Sequence, residues 1–200
     1  MSAVRPRAAL AIESLPLQPL VLVLVGTDHH RFSRLVEWAD TWGAAQEDVE
    51  VFVQHGSTPA PERVAGSSLL AHEQMQSLLA RAAVVISHGG PATIMEARRA
   101  GALPVVVPRD PQRGEHVDEH QQLFSRRMGQ EGMVRLCEDV EELDRVVRAA
   151  LAVPESVRVS ADAELARKEV SARRVGAVIG DVVDHARRRR AGRTRWSGTS

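Results

Sequence analysis

Residues 83–97 read Ala83-Val84-Val85-Ile86-Ser87-His88-Gly89-Gly90-Pro91-Ala92-Thr93-Ile94-Met95-Glu96-Ala97. The first five are an apolar run of strand length, the glycines mark a turn, and the remainder suits the opening turns of a helix. Glycine lets the backbone pass close to a bound group, proline fits the first helical position, and the unpaired amides at a helix start point at any negative charge in front of them. The stretch therefore predicts a strand, a glycine turn and a helix whose mouth is an anion site suited to a diphosphate. Glu96 follows Thr93 by three residues, which places a carboxylate one turn behind those amides, where it suits the two hydroxyls of a ribose. Taken alone, the same residues also describe a ligand-free tight turn and a solvated helical glutamate.

On either side of this unit, apolar runs of strand length recur at 20–25, 49–54 and 103–107, with a weaker one at 133–136. Helical patterns at 31–42, 72–81, 92–100, 117–128 and 140–151 alternate with them. Continuous Val/Leu/Ile runs mark strands covered on both faces, and regular alternation with helices implies right-handed crossovers. The fold class is therefore α/β, a doubly wound, Rossmann-like parallel sheet. Gly101 stands where the helix ending at Ala100 needs a left-handed cap, and Pro104 opens the following strand. The segment 59–68, with Pro59, Pro61, Gly66, Ser67 and Ser68, reads as an irregular connection.

Two hundred residues support one good core and not two full-sized domains. Residues 1–17 read as an N-terminal extension, 18–153 as the single α/β lobe, 154–185 as an amphipathic helix and 186–200 as a basic, disordered tail. The apolar stripe of that helix is Val170, Val175, Val178, Ile179, Val182 and Val183. Lys plus Arg and Asp plus Glu balance at 26 each, but the tail carries Arg187, Arg188, Arg189, Arg190, Arg193 and Arg195 without an acid, which leaves the remainder six negative. Such an end suits anionic lipid, an acidic partner, nucleic acid or plain solvent. Cys137 has no partner in the chain, so an intramolecular disulfide is excluded and a reducing, cytoplasmic setting is expected. No apolar stretch has the length of a membrane span or the form of a secretion signal.

In open parallel sheets, ligands lie beyond the carboxyl ends of the strands. Three loops with suitable groups fall there, Gly26-Thr27-Asp28-His29-His30, His88 to Thr93, and 109–121, and they are expected to converge on one cleft. Arg109 and Arg113 are diphosphate partners on charge alone. A competing reading comes from His116-Val117-Asp118-Glu119-His120, an H-x-x-E-H pattern: two imidazoles four apart on a helix share a zinc ion and Glu119 activates water. No third ligand is evident in the sequence.

The ordered set His88-Gly89-Gly90-Pro91-Ala92-Thr93, Glu96-Ala97, Gly101, Pro104, Pro108 and Gly114-Glu115-His116-Val117-Asp118-Glu119-His120-Gln121 resembles the donor-binding half of a GT-B glycosyltransferase, the C-terminal domain of family 28. Gly26-Thr27, Phe32, Leu35-Val36 and Gln54-His55-Gly56 add the opening of the same pattern. Within that group the chain is most similar to small, separately encoded catalytic subunits of the Alg13, PssE and EpsE kind. The resemblance spans roughly residues 20–150 and implies a single donor-binding lobe.

It also implies roles. Gly26 and Thr27 approach the donor diphosphate, and His88, Gly89, Gly90, Pro91, Ala92 and Thr93 contact it from the other side. Glu96 holds the ribose, backbone near Leu69, Leu70 and Ala71 meets the uracil, and His120 with Gln121 holds sugar hydroxyls or phosphate. Asp28 stands where this group often has histidine. The implied reaction moves a sugar from a UDP-sugar, with inversion, to a lipid-carrier-linked saccharide acceptor, and needs no metal or other cofactor. Glu115 and His116 are the candidate catalytic bases, unless the base comes from an acceptor lobe. That lobe is expected in a second, membrane-anchored subunit of the Alg14 or PssD kind, which recruits the chain to the inner face of the membrane for polysaccharide or glycolipid synthesis. No nucleic acid is expected as a partner, and a homo-oligomer stays open. A nucleotide-sugar-binding module without catalysis is the third reading.

Overall fold

The computed structural model describes residues 18–160. The extension 1–17, the apolar stripe from Val170 and the arginine-rich tail lie outside the described residues. Six strands form one sheet: β1 Leu20–Leu24, β2 Glu50–Gln54, β3 Ala65–Ser67, β4 Ala82–Ser87, β5 Val105–Val106 and β6 Arg135–Leu136. Their order is β3-β2-β1-β4-β5-β6, and every pairing is parallel. The helices are α1 Ser33–Ala44, α2 His72–Arg81, α3 Pro91–Arg99, α4 His120–Gln130 and α5 Val140–Ala152.

β1 shows why the sheet has two covered faces. All five of its residues are buried, and successive side chains alternate between layers. Val21 and Val23 join a core with Leu35, Ala39 and Trp42 of α1 and Leu143, Val146 and Val147 of α5. Leu20, Leu22 and Leu24 join the opposite one, with Leu79 of α2 and Ala97 of α3. Removing each such side chain from water contributes about 1.5–3 kcal/mol, so β1, with both neighbours parallel, anchors the lobe. α4 packs against a third, smaller cluster built on Ile94, Val106 and Val134.

The doubly wound sheet was legible; three details differ. The segment 59–68 contains the edge strand β3, whose register sets Phe52 opposite Ala65 and Gln54 opposite Ser67. Ala-Gly-Ser has no large apolar or β-branched residue to mark it. α4 starts at His120 and not at Val117, because the Asp118 side chain accepts from the His120 backbone N–H at 3.0 Å and holds the preceding residues in a turn. The lobe runs past 153: Pro154–Val157 form a 3-10 turn, Ala102 bridges to Arg158, and the compact unit reaches Arg158. Gly101 does cap α3, at φ +83° with its N–H donating to Arg98 at 2.9 Å. Among the described residues no helix is long and apolar enough to cross a membrane.

Candidate functional site

Strand order reverses direction between β1 and β4, and their two following loops flank the point where a doubly wound sheet opens a crevice. A pocket of about 330 Å³ lies there. Gly26 and Thr27 form one wall, His88, Gly90, Pro91, Ala92, Thr93 and Glu96 the opposite one, and Leu69, Leu70 and Met75 the third. Gln54 lines it from below. The structure thus brings together most of the residues singled out in the first two loops, with the Leu70 segment beside them.

The glycines have a specific task. A Cβ on Gly26 would stand 2.6 Å from the His88 ring, and one on Gly90 would stand 2.4 Å from His88 Nε2, so the imidazole is sandwiched between two backbones. Gly26 and Gly89 also have φ of +79° and +89°, a region that side chains rarely adopt. A Cβ on Gly89 would meet Ser125 Oγ of α4 at 2.6 Å, which makes this glycine a packing contact behind the pocket. His88 is 9 % exposed, and its Nδ1 lies 3.2 Å from the Leu24 carbonyl. A carbonyl only accepts, so Nδ1 carries the proton and Nε2 offers a lone pair. Burial drives the ring toward neutrality and lowers its pKa to about 4.

Pro91 opens α3, and no side chain caps that helix. Its first intrahelical bond runs from the Ile94 N–H to the Gly90 carbonyl, so the amides of Ala92 and Thr93 precede the ladder at the edge of the pocket. Glu96, half-buried, lines the pocket one turn further on. An anion next to these amides gains both hydrogen bonds and the positive end of the helix dipole.

The third loop has a different use from the one expected. Arg109 is 1 % exposed: Nη1 donates to the carbonyls of His30 at 2.7 Å and Glu115 at 3.1 Å, and Nη2 to Val25 at 2.8 Å. Its guanidinium ties the β1 and β5 loops together and lies outside the pocket lining. Glu115, 5 % exposed, accepts from Arg34 Nε at 2.8 Å and Nη2 at 3.1 Å, and from the Asp110 backbone N–H at 2.8 Å. Both its oxygens are engaged by these partners. Arg34 and Arg109 each lie 5.0 Å from the centroid of the Phe32 ring. Arg113 is exposed and pairs with Asp110 at 3.3 Å.

His116 approaches the first loop, its ring 6.1 Å from that of His30. Asp28 Oδ1 accepts from the His30 backbone N–H and stands 2.7 Å from its Nδ1. Burial opposes the Asp28 charge, but these bonds and the nearby Arg109 charge outweigh it and hold the carboxyl below its ordinary value. The helical histidine pair of the competing zinc reading does not form, because residues 116–119 are not helical: His116 Nδ1 lies 3.6 Å and His120 Nδ1 3.1 Å from opposite oxygens of Asp118. The His120 side chain is 87 % exposed and lies outside the pocket lining. Gln121 accepts from the Arg109 backbone N–H at 3.1 Å and so braces its loop. Sequence reading missed Arg34, Met75 and the role of Gln54; the signal at Gln54 was a polar residue ending an apolar strand.

Residues 20–175 match the model of the glycosyltransferase family 28 C-terminal domain. The chain belongs to that family. The fold is also similar to that of the glycotransferase of kitacinnamycin, with 20% identity and a TM-score of 0.57, covering 84% of this chain and 44% of that one. CalG4, the calicheamicin glycosyltransferase, is similar at 22% identity and a TM-score of 0.53, over 84% of this chain and 45% of CalG4. VinC, solved in complex with DTDP, is similar at 20% identity and 0.51, over 83% of this chain and 42% of VinC. The family 28 lobe described here therefore spans less than half the length of these solved structures. No curated protein matches the chain.

Proposed function

We propose that this family 28 lobe binds a UDP-sugar and serves the transfer of its sugar, with inversion, to a lipid-carrier-linked saccharide, in concert with an acceptor-binding lobe on a membrane-associated partner of the Alg14 or PssD kind. One observation carries the reading: the uncapped start of α3, the Gly26 loop and Glu96 surround a single pocket at the switch point of the sheet. The diphosphate lies between Gly26-Thr27 and the Ala92 and Thr93 amides, the ribose hydroxyls meet Glu96, and the uracil rests along Leu69-Leu70. As the glycosidic bond breaks, charge grows on the departing diphosphate, and amides fixed in place beforehand stabilise it without reorganisation. Chemistry of this kind requires no metal ion. His116 is the candidate base on this lobe, since Glu115 is held by Arg34; otherwise the second lobe supplies it. The complex of VinC with DTDP supports a nucleoside diphosphate as ligand of the shared fold.

Calorimetry tests the donor site. The purified chain is expected to bind UDP, and Glu96→Ala to weaken UDP and every UDP-sugar alike by roughly tenfold or more, the scale of a hydrogen bond to a charged group. Full UDP affinity in Glu96→Ala, or no binding by the natural chain, would sink the assignment.

A further inference from the structure

Gln54 ends β2, is buried, and its amide lies at the base of the pocket. Its Oε1 accepts from the Gly26 N–H at 3.0 Å, while its Nε2 donates to the Gly26 carbonyl at 3.0 Å and to the Ser68 carbonyl at 2.9 Å. One side chain therefore reads both polar groups of Gly26 and also holds the residue that precedes Leu69-Leu70. Both N–H groups and one lone pair of the amide oxygen are used.

The neighbouring backbone reinforces the same junction. Gly56 N–H donates to the Ser68 carbonyl at 3.1 Å. A Cβ on Gly56 would stand 2.4 Å from the Gly26 carbonyl oxygen, so only glycine lets these turns approach so closely. The Gly26-Thr27 wall and the Leu69-Leu70 wall come from connections that are far apart in the chain. The Gln54 side chain hydrogen-bonds to both.

We propose that Gln54 is the positioning residue of the donor pocket, setting the span between the wall that takes the diphosphate and the wall that takes the base. The inference rests on the donor-site reading above. A ligand that touches both walls depends on their separation, whereas the stability of the sheet depends chiefly on the apolar layers on its two faces. No other common side chain satisfies this junction. Methionine fills the space without polar atoms. Glutamate keeps an acceptor for the Gly26 N–H but sets a second oxygen against two carbonyls, unless it is protonated and regains one donor.

Calorimetric titration of the full chain with UDP at pH 8 and pH 6 tests this with Gln54→Met and Gln54→Glu, each compared with the natural chain at the same pH. Gln54→Met is expected to bind UDP about tenfold or more weakly at both pH values, since buried backbone groups lose their partners. Gln54→Glu is expected to be weak at pH 8 and to recover part of its deficit at pH 6, as its buried carboxyl takes up a proton. Urea unfolding of each variant at both pH values separates positioning from general destabilisation: a UDP deficit in a variant that is fully folded at that pH supports the proposal, and a deficit confined to conditions where the variant is partly unfolded overturns it. UDP affinity in Gln54→Met equal to that of the natural chain overturns the proposal, as does an equal deficit of Gln54→Glu at both pH values. Should Gln54→Met fail to fold, the Gln54→Glu profile decides alone. A natural chain that binds no UDP defeats the donor-site reading and this inference with it, whereas normal binding by both chains defeats only the inference.

Discussion

At His88 the protein keeps a titratable ring neutral in the wall of the pocket at the switch point of the sheet. The Leu24 carbonyl fixes the proton on Nδ1, and the backbones of Gly26 and Gly90 leave no room for a shell of water. Because the folded-state pKa falls to about 4 from 6.5, the unfolded chain takes up a proton first as pH drops. The stability from burying the neutral ring is therefore fully present above about pH 6.5 and is lost as pH falls toward 4. Asn offers an N–H near the Nδ1 position without titrating, so the natural chain is expected to lose about 2 kcal/mol more than His88→Asn between pH 7 and pH 5. Urea unfolding at the two pH values measures the difference, and equal losses would contradict the account. The sequence showed that His88 begins a glycine turn. It did not show that the glycines accommodate the histidine itself, because a Gly-Gly pair looks the same whether a ligand or a side chain fills the space.

Among the elements, the clamp beneath the site joins the start of α1 to the loop before α4. Arg34 on α1 meets Glu115 and the Pro108 carbonyl, and Arg109 meets three carbonyls from two loops. Glu115→Ala would leave Arg34 without its carboxylate partner in a mostly buried place, an effect of about 3–5 kcal/mol. Urea unfolding should show that loss; an unchanged midpoint, with sugar transfer abolished, would restore Glu115 as the base. The strand-turn-helix units were legible because apolar runs, Pro91 and Gly101 act locally. The clamp was not, because charged residues in a glycine-rich loop carry no sequence mark of whether they face a ligand or a carbonyl. The edge strand β3 was hidden for a similar reason: its three residues are held by pairing with β2 and not by any preference of their own.

At the scale of the whole molecule, the pocket lies at the switch point of the sheet, and the matched part of the chain spans less than half the length of the solved structures it resembles. Leu69, which lines it, is 63 % exposed, and Met95 of α3 is 42 % exposed. A donor held only by this lobe keeps its sugar in water, and an acceptor hydroxyl arrives there without being oriented. Holding both reactants in register is worth large factors in rate, and a loss of about 100-fold follows from misplacing one of them. The chain by itself is therefore expected to bind UDP but to transfer sugar at least roughly 100-fold more slowly than it does on membranes that carry the acceptor-binding partner. UDP release from a panel of UDP-sugars, measured with the purified chain and a soluble acceptor and then with membranes co-expressing a neighbouring membrane-anchored subunit, makes the comparison. Equal rates in the two preparations would show that this lobe needs no second one, and would remove the partner from the proposed function while leaving the donor pocket in place.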